Sequence, residues 1–179
     1  MDLVALIDIT KEMLDEARAY AKLSHDYTSR KHDFHEGGAR IASEKMFEGK
    51  IGEKAFRKWL EIHDIPYEED KSSHENADDY DFMVVGKTFD VKTRTKSFHT
   101  RTLEMVDQFY KRPKDIYVSV RYHIDRQQVE LLGAISRVQL KRINRIENQG
   151  YKDNFVAFDH ELSSMDKLKD YLKLLLVKK

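Results

Sequence analysis

Hydrophobic and polar residues alternate with period two over GKTFDVKTRTK, residues 86–96. Read as a β-strand, this stretch puts Phe89, Val91 and Thr93 on one face and Asp90, Lys92 and Arg94 on the other. YDFMVV, residues 80–85, also has strand composition and meets it at Gly86-Lys87, so a hairpin is expected. Further strands are expected over DIYVSVRYH (115–123), QVELLGAI (128–135) and NFVAFDH (154–160). Helical spacing marks residues 10–23, with Met13, Leu14, Ala17 and Tyr20 on one side. A second helix is expected over roughly 39–63, ending before Ile65–Pro66. Shorter helices are expected over 100–112 and 136–147, and a last one over 162–176 with Ser163 and Asp166 spaced as a capping box. The polar segments 24–38 and 72–79 read as a linker and a loop. The sum is a mixed α/β (α+β) fold, a central mixed sheet flanked by helices. Residues 1–38 form an N-terminal helix and linker, and 39–179 the α/β domain, within one domain overall.

The second helix carries the first hint of chemistry. At about 100° per residue, Ile51, Ala55, Phe56, Trp59, Leu60 and Ile62 fill an arc of roughly 180°. Glu53 falls about 20° past the edge of that arc, where a carboxylate can reach from a packed helix toward the sheet. Glu61 points nearly opposite the centre of the arc and should be solvated.

Composition narrows the classes. The 179 residues include 32 basic and 32 acidic side chains, so net charge gives no argument for nucleic acid and only local patches can. Cysteine is absent, which excludes disulfides, thiolate zinc sites and a cysteine nucleophile. No apolar run approaches the roughly 20 residues that span a bilayer. The start of the chain lacks the basic segment and long apolar run of a signal peptide, so a soluble cytoplasmic protein without a membrane partner is expected. There is no glycine-rich phosphate loop and no nucleophile elbow around a serine.

The hairpin then gains meaning. Asp81 opens one strand, and Asp90 and Lys92 share a face of the next. Carboxylates on adjacent strands can hold a hard cation through oxygen, and a lysine beside them can stabilise charge building on a phosphate. Between carboxylates the lysine should stay charged, which favours a positioning role over that of a base. The structural alternative is a surface hairpin with an ion pair worth about 0–1 kcal/mol.

Glu53 in a GxxGE helix, Asp81 before a hydrophobic strand, and DVK at 90–92 together resemble the PD-(D/E)XK nuclease superfamily. The resemblance spans roughly 49–135, and HELSSMDKLKDYL near the C-terminus is similar to the end of small phage- or virus-type members. It implies a core of helix, three strands, helix and strand, and hydrolysis of DNA phosphodiesters with Mg²⁺ or Mn²⁺. By position, Asp81 and Asp90 would be metal ligands, together with the Val91 carbonyl. Glu53 would be an auxiliary ligand, and Lys92 the lysine of the motif. The motif's proline is absent, and Asp79 in DDYD is a rival to Asp81. Gln108 matches a glutamine that orients substrate or water in related nucleases. The pattern is common to endonucleases, exonucleases and junction resolvases, and duplex cutting is compatible with a homodimer.

Local charge adds a surface. Residues 68–81 carry Glu68, Glu69, Asp70, Glu75, Asp78, Asp79 and Asp81 against Lys71, whereas 91–103 carry Lys92, Arg94, Lys96, His99 and Arg101 and no acid. Arg94, Lys96 and Arg101 are therefore candidate phosphate contacts, and Arg40, Lys45, Lys50 and Lys54 could approach the same backbone. His32 and His35 have the spacing of a zinc pair without further ligands, so a DNA-contacting or simply mobile segment is the simpler reading. The alternative to a nuclease is a binding module that keeps the fold and does not cut.

Overall fold

The computed structural model describes residues 5–31, 38–70 and 80–178. The elements run β1 (Ala5–Asp8), α1 (Lys11–Lys31), α2 (Gly38–Ile62), β2 (Tyr67–Glu69), β3 (Phe82–Val84), β4 (Lys87–Arg94), β5 (Arg101–Met105), α3 (Val106–Lys111), β6 (Ile116–His123), β7 (Gln128–Ser136), α4 (Arg137–Ile143), β8 (Ile146–Asn148), β9 (Asp153–Phe158) and α5 (Met165–Val177). They form the expected mixed α/β fold. One six-stranded sheet has the order β1-β7-β6-β4-β3-β2, and a three-stranded sheet the order β5-β9-β8. Strand β4 pairs in parallel with β6, while the other ladders of both sheets are antiparallel. A parallel pair needs a long crossover, supplied here by β5 and α3.

Helices α1 and α2 pack on each other, and α2 lies on β4 and β6. The main core joins Ile51, Ala55, Phe56, Trp59 and Leu60 of α2 to Phe82, Phe89, Val91, Val118 and Val120 of the sheet. Leu168 and Leu172 of α5 close the same core. Strand β6 is buried at six of its eight positions because it is covered twice. Its Ile116, Val118, Val120 and Tyr122 meet the main core, while Tyr117 enters a second cluster with Phe109, Ile135, Leu140 and Phe155.

The β3–β4 hairpin turns on Val85 and Gly86, at φ 49° and 80°, one residue before the expected Gly86-Lys87, because Lys87 pairs with Val84. Both positions of such a two-residue turn need positive φ, which Gly86 adopts freely and the β-branched Val85 only at steric cost. Ladder bonds continue past β3, the Asp81 amide donating to the Phe89 carbonyl at 2.9 Å.

Several boundaries differ from the sequence reading. Residues 101–105, expected in a helix, form β5 because they pair with β9, and the helix starts only at Val106. The helix expected to 147 ends at Ile143, where Asn144 takes a left-handed conformation at φ 50° and releases 146–148 to pair with β9. Helix α1 runs on through residues read as linker, to Lys31. Ser164, not Ser163, caps α5 and accepts the Lys167 amide at 3.3 Å. Strands β1 and β2 were not legible. Ile62, on the expected apolar arc, is 56% exposed because it is the last residue of α2.

Candidate functional site

Alternation along β4 separates its side chains. Phe89 and Val91 point under α2 and join the main core. Thr93 on the same face abuts Gly52: a Cβ built there would meet Thr93 Oγ1 at 2.0 Å and Val120 Cγ2 at 2.9 Å. Gly52 therefore lets α2 touch the sheet, which fixes the height of the next residue, Glu53, above the hairpin. Glu53 is partly buried and pairs with Lys50 at 2.6 Å. Lys50 stacks over the Tyr20 ring at 4.1 Å. Burial opposes its charge, but Glu53 and, further off, Tyr20 and Asp81 hold its pKa above the usual lysine value.

Asp81 accepts the Val91 amide through Oδ2 at 2.7 Å. Its carboxyl is pushed well above the usual range, first by burial, then by the charges of Glu53 and Asp90; the Val91 hydrogen bond and Lys50 oppose this only in part. Asp81 is thus the carboxylate that both other acids act upon.

The opposite face of β4 meets the small sheet. Lys92 Nζ lies 2.6 Å from Asp90 Oδ2 and 2.5 Å from Glu104 Oε2. Burial opposes its charge, but the two carboxylates raise its pKa above the ordinary lysine value, so Lys92 is a fixed ammonium. Glu104, on β5, is only 3% exposed; burial raises its pKa while Lys92 opposes the rise. The second carboxylate on Lys92 is therefore Glu104, where the sequence suggested Asp81. Glu104 escapes the sequence reading because residues 100–112 are expected to form one helix; with period two, RTLEM puts Thr102 and Glu104 on a single face. Thr102 donates to Ser119 Oγ at 2.9 Å, a buried tie between the two sheets.

Arg94, an expected phosphate contact, is anchored within the fold. It is buried, donates to the Arg101 carbonyl at 2.8 Å and pairs with Asp159, which braces the start of the loop after β4. Arg101 is exposed and pairs with Glu147. Lys96 is exposed. Gln108 is half-buried on α3, where its carbonyl accepts the Arg112 amide at 2.8 Å. Lys54 pairs with Glu16 of α1, which commits it to the α1–α2 contact. Asp79, His32 and His35 lie outside the described residues.

A cleft of about 530 Å³ opens beside Lys92, lined by residues of β4 and β5, Ser119 of β6, the 95–100 loop and Gln149. Another cavity, about 410 Å³ and lined in part by Ile116, Val138, Leu168 and Tyr171, shares no residue with the charged cluster.

Glu53, Asp81 and Asp90 offer oxygen only, the donor type of Mg²⁺ and Mn²⁺. Asp90 Oδ2 is buried and, though within ion-pair distance of Lys92, lies outside hydrogen-bonding geometry. Like charges crowded onto Asp81 are also a feature that a bound cation would relieve. The donor set therefore fits a hard divalent cation in its chemistry. Its geometry is open: among the described residues no three His, Asp or Glu side chains converge as a metal-binding group. No described helix is long and apolar enough to cross a membrane. No protein-family model, curated protein or solved structure matches this chain.

Proposed function

We propose that the protein is a metal-dependent nuclease of PD-(D/E)XK type that hydrolyses DNA phosphodiester bonds. The observation that carries this reading is Asp81: a carboxylate whose pKa is raised first by burial and then by two acids, Glu53 and Asp90, one strand away from a fixed ammonium, Lys92. The element order agrees, since α2, β2–β4, α3 and β6 follow the helix, three strands, helix and strand that the sequence resemblance implies, with β5 inserted.

In this reading Asp81, Asp90 and the Val91 carbonyl hold Mg²⁺ or Mn²⁺, with Glu53 as an auxiliary ligand. The ion would polarise a phosphoryl oxygen and lower the pKa of a water. Lys92 stays protonated and stabilises the charge that develops on the phosphate oxygens. Asp90 and Glu104 hold the ammonium in position, so little reorganisation is needed as that charge grows. Gly52 sets Glu53 close to the hairpin.

The test is incubation of the purified protein with single-stranded, duplex and branched DNA in Mg²⁺, Mn²⁺ or EDTA. Cleavage in the metal ions and none in EDTA is expected, with Asp90→Asn and Lys92→Met each slower by about a hundredfold or more. If no substrate is cut, or both variants cut like the parent, the protein is not a nuclease of this type; DNA retention without cutting would assign it to the binding-module class.

A further inference from the structure

Strand β4 ends at Arg94 and β5 begins at Arg101. The loop between them is braced. Arg121 Nη2 donates to the His99 carbonyl at 3.0 Å. The Asp159 amide donates to the Thr100 carbonyl at 3.1 Å, and the His99 amide to the Lys96 carbonyl at 3.2 Å. On this fixed loop Phe98 stands 75% exposed, edge-on to the His99 ring with centroids 4.7 Å apart. A single exposed apolar side chain is ordinary. Phe98, however, lines the cleft that contains Lys92.

The remaining walls specify the guest. Lys92, Arg101, Ser119 and Gln149 supply hydrogen-bond donors, and among the described residues no aspartate or glutamate lines the cleft. Glu104 and Glu147, which pair with Lys92 and Arg101, are not among the lining residues. An aromatic face set beside donors and cations matches one nucleotide, its base on the ring and its phosphate on the donors. A base inside a duplex already has both faces stacked and has none to offer Phe98. The cleft's volume, about 530 Å³, is that of a small-ligand pocket rather than of a duplex groove.

We infer that this cleft receives an unpaired nucleotide of a DNA strand, with its base stacked on Phe98 and its phosphate directed toward Lys92. The inference rests on the nuclease reading and names the form of DNA that reaches that site. Phe98 is a binding residue, and the ordered loop holds it ready without a change of shape.

The test is binding in EDTA, so that cutting does not enter. A labelled single-stranded oligothymidylate and a blunt duplex of equal length are titrated by fluorescence anisotropy with the parent, Phe98→Ala and Phe98→Trp. The parent should bind the single strand more tightly than the duplex, and Phe98→Ala should weaken single-strand binding about tenfold. Phe98→Trp should restore it, and its indole emission should be quenched as the strand binds. The chain's one tryptophan, Trp59, is 2% exposed and packed on Phe56, so it does not report on the cleft. An unchanged melting temperature confirms that Phe98→Ala folds. Equal binding by the parent and Phe98→Ala, an unquenched Trp variant, or a duplex bound as tightly as the single strand each overturns the inference. Failure of the two readings is separable. Metal-dependent cleavage with Phe98-independent binding overturns this inference alone, and Phe98-dependent binding without cleavage by the parent overturns the nuclease reading alone.

Discussion

The two faces of β4 are built from alternate residues of one strand and do opposite work. Under α2, Phe89 and Val91 pack with Phe56, Trp59 and Leu60, and Phe56 stacks on Phe89 with centroids 5.6 Å apart. Toward the small sheet, Asp90, Lys92 and Arg94 are held with Glu104 and Asp159 in partly buried ion pairs. Burial of the first kind is the main source of stability. Burial of the second kind gains little, because desolvating the charges offsets their attraction. Crowded carboxylates thus sit one residue from the best-packed part of the core, and on the nuclease reading that is where stability is given up for chemistry.

Breaking the apolar face should have the largest effect on folding. Phe56→Ala removes a fully buried ring and should cost about 3–5 kcal/mol, read as a lower urea midpoint at unchanged slope. The contact between helix and sheet comes next. Gly52→Ala forces a methyl group against Thr93 and Val120, and should cost about 1–3 kcal/mol. It should also slow cleavage under conditions where the variant is folded, because Glu53 moves with the helix. Gly49 is the control on the same helix, since a Cβ there meets nothing within 4 Å. Gly49→Ala should leave cleavage unchanged and stabilise by about 0.4–1 kcal/mol.

The smallest effect lies away from both faces. Arg145 holds Glu161 in a two-point pair at 2.7 and 2.9 Å. That pairing, with the Phe158 amide, lowers the Glu161 carboxyl to about 2. A carboxylate depressed in the folded state contributes stability that is present above its unfolded pKa of about 4.3. That contribution is lost as pH falls through the folded value. The stability difference between parent and Glu161→Gln should therefore be constant near neutrality and shrink between about pH 4.5 and 2. Urea midpoints across that range measure it; a difference that does not shrink would mean the pair does not set the Glu161 proton affinity.

How much of this was legible follows from where the information sits. The β3–β4 hairpin and the rim position of Glu53 are local patterns of period 2 and 3.6, and both are found in the structure. Residues 101–105 and 146–148 were misread because they become strands only by pairing with β9, and no short window contains that partner. Glu104 was lost with the first of them. Arg94 and Lys96 look alike in the sequence. Only the fold reveals that Asp159, 65 residues on, takes Arg94 into the interior while Lys96 stays exposed. Gly52 enters the sequence reading only as part of the GxxGE pattern, whereas in the fold it admits Thr93.

Thermal unfolding of the parent and Asp81→Asn, each in EDTA and in Mn²⁺, tests most directly whether the polar face is a metal-dependent site. In EDTA the substitution removes a partly buried carboxyl whose ionisation is opposed by burial and by Glu53 and Asp90, and keeps an oxygen for the Val91 amide. The melting temperature should then rise by about 2–4 °C, the shift that 1 kcal/mol gives in a domain of this size. Mn²⁺ should raise the parent's melting temperature by ligand linkage and leave that of the variant nearly unmoved. A variant that melts lower than the parent in EDTA, or that gains as much from Mn²⁺, would contradict the assignment of Asp81 as the centre of the site.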